Sequence, residues 1–175
     1  MSVPTTIPLS RALLRPWRRG DAESLTRHAD DREVWRNMRD RFPHPYTLRD
    51  AKEWLAFIET TPAGATFAIE VDGEAVGGIG FEPLADVFRV GCELGYWIGK
   101  PHWGKGITTE AVRAVTEHLF THFDFIRVQA SVFSWNPASA RVLEKAGYTL
   151  EATNRRSMIK QGEVGDRWLY VRLRG

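Results

Sequence analysis

The run Trp97-Ile98-Gly99-Lys100-Pro101-His102-Trp103-Gly104-Lys105-Gly106-Ile107-Thr108 ends a strand-like segment, crowds glycines into a short loop and leads directly into a helical pattern. That order of parts suits a phosphate. Glycine lets a ligand approach the backbone, and the first unpaired N–H groups of a helix, with its dipole, favour an anion. The same glycines also serve a plain helix-start turn that binds nothing. Gly99, Gly104 and Lys105 have P-loop spacing as far as the lysine, but Gly106 stands where that loop needs Ser or Thr to hold magnesium. Gly78-Ile79-Gly80 is no dinucleotide signature, since Phe81-Glu82-Pro83 ends a strand and opens no helix.

Other reactive side chains read more plainly. His118 and His122 have the i, i+4 spacing of a metal pair, yet the segment lacks a third ligand and His122 falls on an apolar stripe, so helix-end packing is expected and no metal. Cys92 and Glu93 are adjacent on a strand and point to opposite faces, which makes Cys92 a buried, inert thiol. Trp54, Trp97 and Trp168 lie in periodic segments and read as core, whereas Trp35 and Trp103 stand near the proposed ligand regions.

The elements that must position these groups alternate along the chain. Ala12 to Trp17 reads as a strand, and Asp21 is placed to cap a helix running to about Ala29. A polar, proline-punctuated stretch reaches Tyr46, after which Thr47 and Asp50 resemble a capping box leading into Ala51, Trp54, Leu55 and Ile58. Thr66 to Val71 and Ala75 to Phe81 are strands joined by Asp72-Gly73, a strong hairpin signal. Val90 to Ile98 is the next strand, and Thr108 to Phe123 a helix with Ala111, Val115, Leu119 and Phe123 on one side. A strand at Arg127 to Phe133, a helix from Asn136 to Ala146 stopped by Gly147, and two strands around Lys160-Gln161-Gly162 complete the chain. Hairpins followed by helix-linked strands predict an α/β fold with a mixed sheet and helices on both faces.

The 175 residues fit one domain, residues 11–175, after a flexible lead-in over residues 1–10. With 43% apolar and 26% charged residues the composition is that of an ordinary globular chain. Twenty-four Lys and Arg against 22 Asp and Glu leave +2, which argues against nucleic acid, and the cluster Arg11, Arg15, Arg18, Arg19 reads as solvated surface. The single cysteine fits a reducing compartment, and with no signal peptide or spanning segment in view the expectation is a cytoplasmic protein with no membrane partner. A monomer and a homodimer both fit.

Glu93-Leu94-Gly95-Tyr96-Trp97-Ile98, then Trp103-Gly104-Lys105-Gly106-Ile107-Thr108-Thr109-Glu110-Ala111, then Asn136-Pro137-Ala138-Ser139 and Glu144-Lys145-Ala146-Gly147-Tyr148 resemble the GNAT superfamily of N-acetyltransferases, and more narrowly its RimJ/RimL branch, which acetylates ribosomal-protein N-termini. The resemblance runs from about Arg15 to Leu173. It implies a mostly antiparallel central sheet splayed open between its fourth and fifth strands, with acetyl-CoA as acetyl donor in the gap. It implies that Trp103, Gly104, Lys105, Gly106, Ile107 and Thr108 bind the pyrophosphate, that Tyr96, Trp97 and Ile98 pair with the pantetheine arm, and that Asn136 binds the same arm. Pro101 departs from the Gln or Arg usual three residues before the first glycine of the loop. Leu143 stands where many members place a tyrosine acid seven residues after the asparagine, and the branch instead resembles this chain in having Ser139, whose hydroxyl suits the CoA sulfur.

Amide formation needs a neutral amine, a thioester held against it and a proton for the departing thiolate. Glu93 is the expected base, an effect typically worth about 10²–10⁴-fold, and Asn136-Pro137 also has the chemistry of a helix cap. For the acceptor, Trp35, Phe42, His44 and Tyr46, with Arg36, Arg39 and Arg41 among them, suit the wall of a peptide groove. The reading is therefore acetyl transfer to a primary amine, foremost a protein or peptide N-terminus. Polyamine or aminoglycoside acetylation and a non-catalytic acyl-CoA-binding module are the alternatives.

Overall fold

In the computed structural model, which describes residues 6–62 and 64–175, Ile7–Pro8 (β1) pairs antiparallel with Leu13–Arg15 (β2), at Ile7 opposite Leu14 and Pro8 opposite Leu13. Within the expected lead-in, Ile7 and Pro8 carry this short ladder and Ser10 bonds Glu110; residues 1–5 lie outside the described residues. The strand foreseen over Ala12 to Trp17 shortens to three residues before Pro16, which has no N–H to donate.

Ala22–Ala29 (α1) starts where expected, but the Asp21 carboxylate does not cap it. Instead its two oxygens accept from both terminal nitrogens of Arg15 at 2.8 Å, and Arg15 Nε also bonds Glu70. Arg15 is 1% exposed, so its place in a solvated basic patch is corrected: two carboxylates balance a charge that burial alone would make very costly. Arg32–Arg36 (α2) was not foreseen. Asp31 caps it by accepting from the Glu33 and Val34 amides, and Val34 is its sole buried residue.

Leu48–Ile58 (α3) opens on the predicted capping box, with the Thr47 and Asp50 side chains each accepting from the other's backbone amide. Thr66–Val71 (β3) and Glu74–Pro83 (β4) form the hairpin. Asp72 and Gly73 both take the left-handed backbone, at φ of 51° and 83°, as a two-residue turn of matching twist requires. Gly91–Ile98 (β5), Ile107–His122 (α4), Arg127–Phe133 (β6), Pro137–Lys145 (α5), Thr149–Lys160 (β7) and Glu163–Leu173 (β8) follow.

The described strands join one sheet in the order β1-β2-β3-β4-β5-β6-β8-β7. β5 and β6 run parallel, in register from Gly91 opposite Arg127 to Glu93 opposite Gln129, and β6 with β8 and β7 with β8 are antiparallel. α4 makes the crossover that a parallel pair demands.

The chain divides into two compact units, Met1–Gly80 with Tyr96–Ala111, and Phe81–Gly95 with Val112–Gly175. In the first, Ala22, Leu25, Ala29, Tyr46, Ala51 and Leu55 form a core on which Trp17, Phe42, Trp54 and Trp97 pack, with Trp17 and Trp54 edge to face at 4.8 Å. In the second, β6 alternates buried and half-buried residues as a strand with one covered face must, and Phe81, Phe123 and Phe125 pack together with centroids 5.1–5.7 Å apart.

Candidate active site

β5 ends at Ile98, and the chain enters a single 3-10 turn, Lys100–His102, before reaching Trp103. The turn is tied at both ends: Gly99 N donates to Val76 O at 2.8 Å, and the Trp103 indole Nε1 donates to Ile98 O at 2.8 Å. Gly104 and Gly106 follow with φ of 73° and 80°, a region that L side chains rarely adopt. A Cβ placed on either would meet nothing within 4 Å, so the backbone there borders open space. Glu110 N donates to Gly106 O at 3.1 Å, which makes Gly106 the residue before the first helical turn. The N–H groups of Ile107, Thr108 and Thr109 therefore have no partner inside the helix. Open backbone at two glycines and a helix N-terminus beside Lys105 form a cradle of the right chemistry for a pyrophosphate.

Gly99 has a different reason to be glycine. A Cβ there would lie 2.5 Å from His28 Nδ1 and 3.0 Å from two of its carbons. The spacing that imitated a P-loop thus comes partly from a steric demand of α1.

Glu93 is half-buried on β5, opposite Gln129. Its neighbour Cys92 is fully buried, and burial pushes the thiol up to about 12, in keeping with an inert core residue. Asn136 precedes α5, and its Oδ1 accepts from the Ser139 amide at 3.2 Å, so the capping reading of Asn136 holds. Leu143 is fully buried, and Tyr148 is buried with its hydroxyl 2.7 Å from Thr116 Oγ1. Glu93, Asn136 and Ser139 belong to the second unit; Tyr96, Trp97, Ile98 and residues 103–108 belong to the first.

Trp35 of α2 stacks on His44 at 5.3 Å, and in the segment after α2 Phe42 lies 4.9 Å from Tyr46 and 5.6 Å from Trp97, while His44 Nδ1 lies 3.4 Å from Asp30. Tyr46 is only 4% exposed, a core residue whose amide donates to Asp30 Oδ1 at 2.9 Å. Its ring is therefore a support beneath the segment, and Trp35, Phe42 and His44 are the more accessible aromatic members. Sequence reasoning did not find Asp30, which holds both His44 and Tyr46. Its position just after a helix was the available signal.

His118 and His122 behave as helix packing. Their centroids are 4.9 Å apart, and burial first, then His122, holds His118 below its ordinary value. Among the described residues no group of three or more His, Cys, Asp or Glu is placed to hold a metal ion. No helix of the described residues is long and apolar enough to cross a membrane.

Residues 11–149 match the acetyltransferase (GNAT) domain family, and the chain belongs to that family. It is 27% identical over 172 residues, 97% of this chain and 96% of the other, to the uncharacterized N-acetyltransferase p20 of Bacillus licheniformis. It is likewise 27% identical to the ribosomal-protein-serine acetyltransferase of Escherichia coli, over 61% of this chain and 59% of that one. Among solved structures it resembles Mycobacterium smegmatis RimJ in complex with CoA-disulfide, at 25% identity and a TM-score of 0.85, covering 98% of this chain and 88% of that one. The protein is an N-acetyltransferase of the GNAT family, with the mixed, mostly antiparallel sheet of that fold.

Proposed function

We propose that this acetyltransferase uses acetyl-CoA to acetylate the α-amino group of a peptide or protein by direct transfer in a ternary complex. The observation that carries the donor half is the open cradle at Gly104, Gly106 and the N-terminus of α4. Residues 103–108 would hold the pyrophosphate through backbone N–H groups, and Tyr96, Trp97 and Ile98 would pair with the pantetheine arm. Acetyl-CoA supplies the acetyl group as an activated thioester. Glu93 takes the proton from the acceptor amine, directly or through one water, and the Ser139 hydroxyl gives a hydrogen bond to the sulfur that leaves. Alignment of the two reactants contributes beside them, since well-oriented groups reach effective molarities of roughly 10⁵–10⁸ M.

The peptide acceptor is supported by a relative that carries a ribosomal-protein acetyltransferase name and by the half-buried Trp35 and Phe42 and the exposed His44 beside Arg36, Arg39 and Arg41. Cationic side chains at an acceptor wall disfavour polycations, because like charges repel. Thiol release from acetyl-CoA, measured over a varied N-terminal peptide library and a panel of polyamines and aminoglycosides, tests the reading. Turnover with peptides supports it. Efficient acetylation of the small polycations with none of the peptides overturns the acceptor assignment and leaves the donor half standing.

A further inference from the structure

We propose that His28, held by Glu74, is a positioning residue for the phosphate turn. The inference rests on the reading of residues 103–108 as the pyrophosphate seat. His28 is in the last turn of α1, and its Nε2–H donates to Glu74 Oε1 at 2.9 Å, at the start of β4. Arg27 binds the same carboxylate, and these partners, Arg27 first, hold Glu74 below the usual carboxylate range. The acceptor for His28 therefore stays ionised through neutral pH, and the imidazole is fixed from behind.

Its other side presses on the turn. The ring sits where a side chain on Gly99 would go, so the Gly99 backbone rests directly against it. His102 N donates to Gly99 O at 2.9 Å, closing the 3-10 turn, and the His102 ring meets His28 edge-on at 5.5 Å. Burial, with Lys105 and His28 nearby, holds His102 below its ordinary value, so an uncharged ring packs there. Both ends of the Gly99–His102 turn thus bear on one imidazole, and the chain passes from it straight into Trp103 and Gly104. Oriented N–H donors lose much of their value when displaced by more than about 0.5 Å. A ring that sets the height of this turn sets the aim of the amides beyond it, although it touches no ligand itself.

The test compares acetyl-CoA with S-acetylpantetheine, which carries the same thioester and no pyrophosphate. In the wild-type chain acetyl-CoA should be the far better donor; equal use of the two would refute the pyrophosphate reading itself. Given that preference, His28→Ala should lower the ratio of kcat/KM for acetyl-CoA over S-acetylpantetheine roughly tenfold, through KM, as loss of one well-placed hydrogen bond to the anion implies. His28→Gln, whose amide can reach Glu74 as Nε2 does, should restore most of the ratio. Should His28→Ala fail to fold, Glu74→Gln keeps the shape while removing the charge, and should lower the ratio in the same direction by less. A folded variant with an unchanged ratio, or one in which both donors suffer equally, overturns the positioning role.

Discussion

Asn136 Oδ1 accepts the backbone N–H of Ser139 at 3.2 Å, so the two residues proposed to face the donor are also the two ends of one helix cap. The bond is made by the serine's backbone amide and not by its hydroxyl. Asn136→Ala should therefore cost about 1 kcal/mol of stability, as loss of a cap does, together with weaker acetyl-CoA binding. Asn136→Asp should keep the cap, and Ser139→Ala should lower kcat with an unchanged melting temperature. Thermal melts beside steady-state kinetics separate the two effects; a Ser139→Ala enzyme with full kcat refutes a role at the sulfur.

Glu93→Gln should reduce kcat while leaving the KM for acetyl-CoA near wild type, because its proposed partner is the amine. The deficit should be largest near neutral pH and narrow as pH rises past the α-amino range of about 7.7–8.0, where the amine loses its proton unaided. A pH–rate profile of the variant that parallels the wild type at every point contradicts the assignment.

Gly104 and Gly106 have room for a side chain but not the backbone for one. Alanine at either should cost roughly 1–2 kcal/mol through the left-handed conformation, and valine more. A chain of this size then melts about 2–8 °C lower and remains folded. Binding of CoA measured by calorimetry should fall sharply in the same folded variants, since the added Cβ enters the space a phosphate would use. Unchanged affinity in a folded Gly104→Val, Gly106→Val double variant rules out the seat.

Because Tyr46 is buried, Tyr46→Ala should act first on stability, with a loss of about 3–5 kcal/mol as for other large-to-small aromatic changes in a core. The more accessible Trp35 is the better probe of the acceptor. Trp35→Ala should raise the KM for a peptide acceptor several-fold with little change for acetyl-CoA. Equal KM values for the peptide in wild type and variant would remove Trp35 from the acceptor wall.

Cys92 is held neutral by burial, its thiol pushed from 9.0 to about 12. A group whose folded value is raised contributes stability that is present below its unfolded value and is lost as pH rises through the folded one. Tyr170, raised by burial and Glu144 to about 12 from 10.0, acts in the same sense. Unfolding free energy should thus begin to decline above about pH 9 and fall steadily towards pH 12. The native thiol should resist a thiol reagent at about pH 8 and react only on unfolding. Rapid labelling of the native chain at that pH contradicts a buried, neutral Cys92.

Sequence alone determined those parts that depend on a few neighbouring residues. Asp72-Gly73 can turn back on itself with little strain, Thr47 and Asp50 satisfy each other's amides, and Gly147, at φ 86°, stops α5 after Lys145. The glycine turn before α4 was legible for the same reason, and its order with Glu93, Asn136 and Ser139 pointed to the family. The five-residue α2 was not, because one buried valine makes no periodic stripe and only its Asp31 cap marked it. Tertiary structure decided the residues whose environment comes from far along the chain. Arg15 reads as surface until Asp21 and Glu70 close around it, and Tyr46 reads as a groove residue until α1 and α3 bury it. Gly99 looks like part of a phosphate signature until the His28 ring occupies the place of its side chain. Burial and charge balance are sums over distant neighbours, and local spacing carries no record of them until the fold brings those neighbours into contact.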